Sequence, residues 1–242
     1  MNITFLGTRG YIKSRTQRHY RHTSTLISHN DHHIMIDCGI DWAEKVCDIK
    51  PDAIIITHAH PDHAWGLKHG SPCPVYATQE SWHIMQQFEI PQVLRHIITP
   101  RTSYTLHNVI IEAFSVVHSI RAPAVGYRIT IGTTTIFCVH DIVYIEQRAE
   151  ALTGVSLYIG DGASLTHPII RKKDGMLFGH SPISTQLTWC RKEGVPQAIF
   201  THCGTRIVES DAREVNKKLQ ELAKKRGVQA SIAYDGLQLS ID

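Results

Sequence analysis

The sequence lacks a long apolar run, a secretion signal and a strong charge of either sign, and each absence excludes a class of protein. No stretch approaches the roughly 18 consecutive apolar residues of a membrane-spanning helix, so we expect no membrane association. The N-terminus has no basic segment followed by an apolar one, as a secretory signal would. The net charge of +3 is too small to predict nucleic-acid binding by itself.

Cysteine is sparse and follows no recognisable spacing. No Cys-x-x-Cys pair occurs among the six cysteines, which stand at positions 38, 47, 73, 138, 190 and 203. In a chain of 242 residues this distribution favours reduced thiols over a disulfide framework. We therefore expect a cytoplasmic protein.

Histidine is the residue in excess, with 17 copies in the chain. We expect most of them on solvated faces, so the informative ones are those that follow predicted strands. The remaining composition, 42% hydrophobic and 19% charged, is typical of a globular protein with a sizeable core. The length predicts one domain over residues 1–242.

Short β-branched runs alternate with helical patterns along the chain. Strands are predicted near residues 2–6, 23–28, 33–37, 53–57, 108–113, 125–131, 134–139, 155–160, 197–201, 228–233 and 236–241. Helices are predicted near 41–47, 62–69, 79–87, 181–193 and 208–226, the last with Ser210 or Asp211 as its N-cap. Residues 161–180, rich in Gly, Lys and Pro, predict a long loop. This order predicts an α/β protein, an αββα sandwich of two mixed sheets packed face to face with helices outside.

One motif combines a buried strand with a dense set of metal-binding residue types. Residues 53–57 form an apolar run, and His58, His60, Asp62 and His63 follow it directly. His58 and His60 stand two apart, so in extended backbone they project to the same side. Imidazole nitrogens and carboxylate oxygens are the ordinary ligands of zinc and similar divalent ions. The motif therefore predicts a metal site rather than a polar turn that happens to contain histidines.

The His-x-His-x-Asp-His pattern resembles the signature of the metallo-β-lactamase superfamily. The likeness extends to Phe5-Leu6-Gly7-Thr8, to Ile36-Asp37-Cys38-Gly39, and through Gly66-Leu67 after the motif. Within the superfamily the chain looks most like the branch that contains ribonuclease Z, a tRNA 3′-processing endonuclease, and the cyclic phosphodiesterases of phosphonate breakdown. The resemblance implies the αββα fold and hydrolysis with two divalent metal ions, zinc first and manganese or iron as alternatives. A bridging water or hydroxide would be the nucleophile.

The resemblance also implies further ligands after later strands, namely His118, Asp141 and His202. It implies two groups of ligands: His58, His60 and His118 on one ion, and Asp62, His63 and His202 on the other. Asp141 is expected to bridge the two ions. Asp161 competes for that role, and the order of the strands favours Asp141.

The segment Gly179-His180-Ser181 resembles the glycine–histidine–serine element of the phosphodiesterase branch. It implies that His180 donates a proton or holds the phosphate, which an imidazole does near neutral pH. The alternative is that His180 and Ser181 merely begin a helix. Asp161 would orient His180, so the candidate catalytic residues are His180, Asp161 and Asp62, which is also a ligand.

Two features outside the ligand set each have two possible interpretations. By resemblance, Asp37 lies beneath the metals and orients the loop that carries His58; otherwise it is a plain turn aspartate. Residues 13–22 hold four Lys or Arg, at positions 13, 15, 18 and 21, and this basic segment either binds phosphate groups or is a solvated charge run.

Taken together, these patterns predict a phosphodiesterase for a small anionic or cyclic phosphodiester. The alternatives are a hydrolase of acyl bonds (lactone, thioester or β-lactam), an RNA endonuclease of the ribonuclease Z type, and a non-hydrolytic metal-binding accessory protein on the same fold. RNA is disfavoured because the sequence contains no inserted Gly/Pro-rich arm of the kind ribonuclease Z uses to hold tRNA. A homodimer remains an open alternative to a monomer.

Overall fold

The computed structural model describes residues 1–241 and contains two large mixed sheets packed face to face. The first sheet has the order β17-β1-β2-β3-β4-β5-β6. Its strands are β1 (Asn2–Gly7), β2 (Ser24–His29), β3 (His32–Ile36), β4 (Ala53–Ile55), β5 (Val75–Ala77), β6 (Arg95–Ile97) and β17 (Gln238–Ser240). Strands β3 to β6 run parallel to one another, whereas β17, β1, β2 and β3 pair antiparallel.

The second sheet has the order β11-β8-β9-β10-β12-β15-β16, and β7 also pairs with β8. Its strands are β7 (Ser103–Leu106), β8 (Val109–Val117), β9 (Ala124–Ile131), β10 (Thr134–Cys138), β11 (Tyr144–Ile145), β12 (Leu157–Asp161), β15 (Gln197–Thr201) and β16 (Gln229–Ile232). Strands β13 (Ile169–Lys173) and β14 (Met176–His180) form a separate hairpin.

Helices cover the outer faces of both sheets. The α-helices of the described residues are α1 (Val46–Ile49), α2 (Pro61–Ala64), α3 (Gln79–Ile84), α4 (Arg148–Leu152), α5 (Ile183–Lys192), α6 (Thr205–Val208) and α7 (Ala212–Lys224). Short 3-10 helices lie at Ile40–Trp42, Trp65–Leu67 and Gln92–Leu94. Within residues 1–241, no helix is long and apolar enough to cross a membrane.

Three apolar layers account for this stacking. One lies between the sheets, and the other two lie between each sheet and its helices. Strand β4 shows the arrangement: Ala53 and Ile55 enter the layer between the sheets, whereas Ile54 packs toward the helices. A strand buried on both faces needs apolar residues at successive positions, which is why β4 appears in the sequence as an unbroken apolar run.

The structure confirms the predicted αββα sandwich and the strands predicted in the sequence. The assignment of residues 1–242 to one domain stays a prediction. The N-cap of the last long helix is Asp211, whose carboxylate accepts hydrogen bonds from the backbone N–H groups of Arg213 and Glu214. All six cysteines are free thiols.

The predicted loop over residues 161–180 is wrong, because much of it is the β13–β14 hairpin. All residues of β13 are exposed, and so are Met176 and Leu177 of β14. The two strands therefore lack the apolar alternation that marks a half-buried strand. The helix predicted over 62–69 is also too long: α2 ends at Ala64 and a 3-10 helix follows. Strands β5, β6, β7 and β11, of two to four residues each, are not among the predicted strands.

Two glycines let the loop after β3 lie directly against α2. Cys38 N–H donates to the carbonyl of His63, and Gly66 N–H donates to the carbonyl of Cys38. A Cβ on Gly39 would stand 2.0 Å from the carbonyl oxygen of Asp62, and one on Gly66 would stand 2.5 Å from that of Gly39. The backbone that carries Asp62 and His63 is therefore fixed by a contact that admits no side chain.

We expect Gly39→Ala to lower the free energy of unfolding by about 3 kcal/mol, because the new methyl group meets backbone that cannot move aside. Urea denaturation measures the loss. Gly194→Ala is the control, since Gly194 has a φ of +74° and open space around it, and left-handed strain alone costs about 1 kcal/mol. Equal losses in the two variants would contradict this account.

Candidate metal centre

The seven predicted ligands meet at one edge of the sandwich, where strands of both sheets end. Each lies just beyond the C-terminal end of a strand or in the helix that follows it: His58 and His60 after β4, Asp62 and His63 in α2, His118 after β8, Asp141 after β10 and His202 after β15. Six are buried, and His60 is half-buried. Residues distant in sequence are thus presented to one small volume by rigid strand ends.

The first group consists of His58, His60, His118 and Asp141. His60 Nδ1 lies 2.9 Å from His58 Nε2 and 3.4 Å from His118 Nε2. Asp141 Oδ2 lies 3.2 Å from His118 Nε2 and 3.6 Å from His58 Nε2. Ligand bonds of about 2.0–2.1 Å to a tetrahedral zinc ion place the ligand atoms roughly 3.3–3.4 Å apart. The four atoms therefore have the separations of ligands around one ion.

The second group consists of Asp62, His63, His202 and again Asp141. Asp62 Oδ2 lies 3.2 Å from His63 Nε2 and 3.1 Å from His202 Nε2. Asp141 Oδ2 lies 3.4 Å from His63 Nε2, and its Oδ1 lies 3.0 Å from His202 Nε2. Asp141 is the one residue common to the two groups, which is the position expected of a bridging carboxylate.

Several of these atoms are buried without satisfying one another by hydrogen bonds. Among the described residues, His63 Nε2 and Asp141 Oδ1 have no hydrogen-bond partner, although neighbouring ligand atoms lie close enough. Buried polar atoms without partners are costly, and cations shared between them would satisfy them. The residues present therefore fit a pair of divalent ions, and their assignment as ligands stays a prediction.

The carboxylate of Asp37 lies beneath this centre and accepts four hydrogen bonds. Thr57 donates from its backbone N–H to Oδ1 and from its hydroxyl to Oδ2, both at 2.7 Å. His63 Nδ1 and His140 Nδ1 also donate to Oδ2 at 2.7 Å. The bond to His63 fixes the ring so that Nε2 is left for an ion. His140 is not identifiable from the sequence, because it only continues the apolar run before Asp141.

Asp37 and His202 both have left-handed backbone conformations, with φ of 63° and 52°. Residues other than glycine adopt this conformation in only a few per cent of cases, with Asn, Asp and His the more tolerant types, and it costs of order 1–3 kcal/mol. Such strain persists where the surrounding contacts enforce it, and it is concentrated at functional sites. Two of the nine non-glycine residues with positive φ among residues 1–241 lie at this candidate centre.

The charges of this cluster favour ionised carboxylates. Burial alone would raise the pKa of Asp141, but the imidazoles of His202 and His63 outweigh it and hold the pKa well below the usual value. Asp62 has its pKa lowered in the same way, since His63 opposes the effect of burial. Burial lowers the pKa of His58 well below its ordinary value, and nearby histidines add to this effect. Anionic carboxylates and neutral imidazoles are the forms that bind metals. The ring of His63 differs, because Asp62 and Asp141 outweigh its burial and raise its pKa well above the ordinary value.

Asp161 lies beside the two groups, but its carboxylate makes different contacts from that of Asp141. Its Oδ2 accepts hydrogen bonds from the backbone N–H of Ile142 at 3.0 Å and from His180 Nδ1 at 2.7 Å. Its Oδ1 accepts one from the backbone N–H of Ala163 at 2.8 Å. Both oxygens of Asp161 therefore accept hydrogen bonds within the protein, whereas Asp141 Oδ1 has no hydrogen-bond partner among the described residues; the choice of Asp141 as the bridge stays a prediction.

His180 ends β14 and stands next to both ligand groups. Its ring centroid lies 5.0 Å from that of His118 and 5.5 Å from that of His202. Because Nδ1 donates to Asp161, Nε2 is the nitrogen available to a bound molecule. Burial disfavours the charged ring, but the carboxylate of Asp161 outweighs it and raises the pKa of His180 to about 9. The predicted pairing of Asp161 with His180 is thus present in the structure.

A cleft with a volume of about 680 Å³ opens over this centre. His60, Asp62, His118, Asp141, His180 and His202 contribute to its floor. Tyr11, Ile12 and Ile169 add apolar surface, and the exposed Arg206 adds a positive charge. A volume of this size is typical of sites for small molecules.

The basic segment 13–22 uses its charges mainly within the protein. Arg15 forms an ion pair at 3.1 Å with an aspartate, and Arg18 and Arg21 each lie over an aromatic ring. The neighbouring residues 10–12 reach the cleft instead. These contacts favour a structural role for the arginines over phosphate binding.

Comparison with known proteins agrees with this architecture. The sequence profile described as "Beta-lactamase superfamily domain" matches residues 32–203, more than two thirds of the chain. A search of curated proteins returns no match. Among solved structures, the metallo-β-lactamase fold protein YhfI from Bacillus subtilis is 19% identical, with a TM-score of 0.75 and 98% of each chain covered.

Two further solved structures share the fold at similarly low sequence identity. A diphosphatase of the PhnP family is 19% identical, with a TM-score of 0.71 and coverage of 100% of this chain and 98% of that one. The short form of human tRNase Z is 17% identical, with a TM-score of 0.68 and both chains covered completely. At these identities the likeness establishes the fold alone.

We expect Asp141→Asn to lose at least one of two bound divalent ions, because this carboxylate is shared by both ligand groups. Metal analysis of the purified protein by mass spectrometry measures the loss. Asp161→Asn is the matched control and should keep both ions. Retention of two ions by Asp141→Asn, together with loss from Asp161→Asn, would reverse the assignment of the two aspartates.

We expect Asp37→Ala to lower the free energy of unfolding by about 3–5 kcal/mol. The substitution leaves the buried donors that share this carboxylate in the wild type without an acceptor. Its metal affinity should fall by about 10–100-fold, because the ring of His63 loses its orienting partner. Urea denaturation and competition with a chelator measure the two effects. Asp48→Asn, at an exposed position in α1, should change neither quantity, and an equally silent Asp37→Ala would exclude the supporting role.

Proposed function

The chain belongs to the β-lactamase superfamily, a superfamily of metallo-hydrolases, and from this we propose that it is a phosphodiesterase for small or cyclic phosphodiesters. The observation that carries the proposal is the His180–Asp161 pair, which stands beside both ligand groups. Hydrolysis of a phosphodiester releases an alkoxide-like oxygen, which needs a proton. A histidine held at the edge of the metal centre can supply it.

In this proposal the seven ligands hold two divalent ions, with zinc as the first choice and manganese or iron as alternatives. Such ions supply Lewis-acid stabilisation of negative charge and make water a nucleophile near neutral pH. His63 is kept in the binding orientation by Asp37, and His118 by the carbonyl of Gly179, which accepts a hydrogen bond from its Nδ1 at 3.0 Å. The protein therefore supplies a preorganised set of ligands.

His180 has two tasks in the proposed reaction. The carboxylate of Asp161 accepts a hydrogen bond from Nδ1–H, stabilises the positively charged ring and leaves Nε2 to face the reacting group. Nε2–H then donates to the leaving oxygen as the phosphorus–oxygen bond breaks, or holds a phosphate oxygen by a charged hydrogen bond. Asp62, the third candidate catalytic residue, contributes as a metal ligand of the second group.

The shape and charge of the cleft support a small anionic substrate. Its volume of about 680 Å³ suits a small molecule. Arg206 is placed to bind a second anionic group, and Tyr11 and Ile12 offer contact to an apolar substituent. Two proteins that share the fold are named as a diphosphatase and a tRNase, which makes reactions at phosphorus a reasonable expectation for this chain.

A hydrolase of acyl bonds is the competing function, because the apolar wall at Tyr11, Ile12 and Ile169 also suits an acyl substituent. An aryl ester or thioester has a leaving group that departs without protonation. His180 would then have little effect on turnover. The role of His180 therefore separates the two functions.

We expect His180→Ala to keep its full metal content and to lower hydrolysis of an alkyl phosphodiester by roughly 10²–10⁴-fold, the scale of a lost general acid. A nitrophenyl phosphodiester should be affected much less, because nitrophenolate leaves without a proton. If His180 mainly binds phosphate, both substrates should slow to a similar extent. Steady-state rates on the two substrates, with metal analysis, measure these effects.

His167→Ala is the matched control, since His167 also lines the cleft but is an exposed histidine away from the ligands. It should change turnover by no more than a few-fold. An unchanged rate in His180→Ala on both phosphodiesters, with a thioester or lactone hydrolysed faster than either, would favour the acyl hydrolase instead.

A further inference from the structure

A second cluster of metal-binding residue types lies at the far ends of the strands that lead to the metal centre. His32 begins β3, Asp52 directly precedes β4, and His107 lies in the turn between β7 and β8. Six residues of extended chain lead from Asp52 to His58, which separates the two clusters by up to about 20 Å. The three residues therefore belong to a different surface.

Their side chains converge, with one candidate ligand atom from each within 4.8 Å of the others. His32 Nδ1 lies 3.5 Å from Asp52 Oδ2, which is long for a hydrogen bond and close to the separation of two ligands on one ion. The rings of His32 and His107 stack with centroids 4.0 Å apart. The backbone N–H of His33 donates to Asp52 Oδ2 at 2.7 Å and so holds the carboxylate in place.

His32 Nδ1 is an unsatisfied atom within this cluster. The side chain is 42% exposed, yet Nδ1 itself is shielded from solvent and has no hydrogen-bond partner among the described residues. The pair His69–Glu89 is the contrasting case: its closest atoms are 3.7 Å apart, both side chains are largely exposed, and no third candidate ligand joins them among residues 1–241. An ordinary surface ion pair therefore does not account for the first cluster.

We propose that His32, Asp52 and His107 form a separate binding site for a divalent transition-metal ion. Two imidazoles and one carboxylate are a common zinc ligand set, and water completes the coordination because the cluster lies at the surface. Stacked rings cannot both point at one ion, so the exposed ring of His107 turns off the stack when the ion binds.

The bound ion would connect the two sheets at this edge. His32 and Asp52 belong to the first sheet and its connections, whereas His107 belongs to the second. An ion that binds only when the three segments are together stabilises the folded state in proportion to its occupancy. The site lies far from the cleft, so its occupancy should leave turnover unchanged.

Equilibrium dialysis of the full-length protein against rising Zn²⁺ concentration, with metal counted by mass spectrometry, tests the proposal. We expect the wild type to bind one equivalent more than His32→Gln or His107→Asn at the same free Zn²⁺, and each variant to bind that equivalent at least about tenfold more weakly. Asparagine is chosen because it tolerates the left-handed φ of 49° at His107. The midpoint of thermal unfolding should rise with Zn²⁺ further in the wild type than in either variant.

His69→Ala is the control for the loss of a surface histidine and should bind as much zinc as the wild type. The test measures the difference in bound zinc between the wild type and each variant. That difference does not depend on the occupancy of the metal centre or on the substrate that the cleft accepts. Equal zinc binding by the wild type and both variants would overturn the proposal. So would an equal loss in His69→Ala, which would indicate non-specific binding to surface histidines.

Discussion

The buried carboxylate of Asp37 is the interaction on which the metal centre depends. A full negative charge without solvent contact is costly unless donors surround it, and here Thr57, His63 and His140 supply four hydrogen bonds. The donors come from the end of β4, from α2 and from the end of β10, so one side chain joins both sheets at the edge where the ligands emerge. The orientation of His63 and the path of the backbone before Asp141 follow from these bonds.

Two aspartates at the ends of neighbouring parallel strands illustrate how contacts divide similar residues into different roles. Asp141 follows β10 and Asp161 ends β12, and β10 and β12 are paired. The oxygens of Asp141 face imidazole nitrogens of both ligand groups, whereas those of Asp161 accept hydrogen bonds from backbone N–H groups and His180. The carboxylate of Asp141 is therefore free to bind cations, and that of Asp161 holds the ring of His180 at the cleft.

The two histidine clusters lie at opposite ends of the same strands and differ in how well they are supported. At the metal centre the ligands are mostly buried, and Asp37 and the carbonyl of Gly179 orient two of the rings. At the cluster of His32, Asp52 and His107, one backbone N–H steadies the carboxylate and the rings are exposed. Preorganisation of ligands raises affinity, so we expect the first candidate site to bind metal more tightly than the second.

The sequence by itself determined the αββα fold and the core of the candidate site. Strands buried on both faces must be continuous apolar runs, and four candidate ligands within six positions after such a run need no distant partner to be recognised. Only the tertiary structure decided the rest. The exposed β13–β14 hairpin leaves no apolar pattern to detect, and His140 looks like part of a buried strand. Asp141 and Asp161 both come at the ends of apolar runs, and the atoms that the packing of the two sheets brings against each of them give them different contacts.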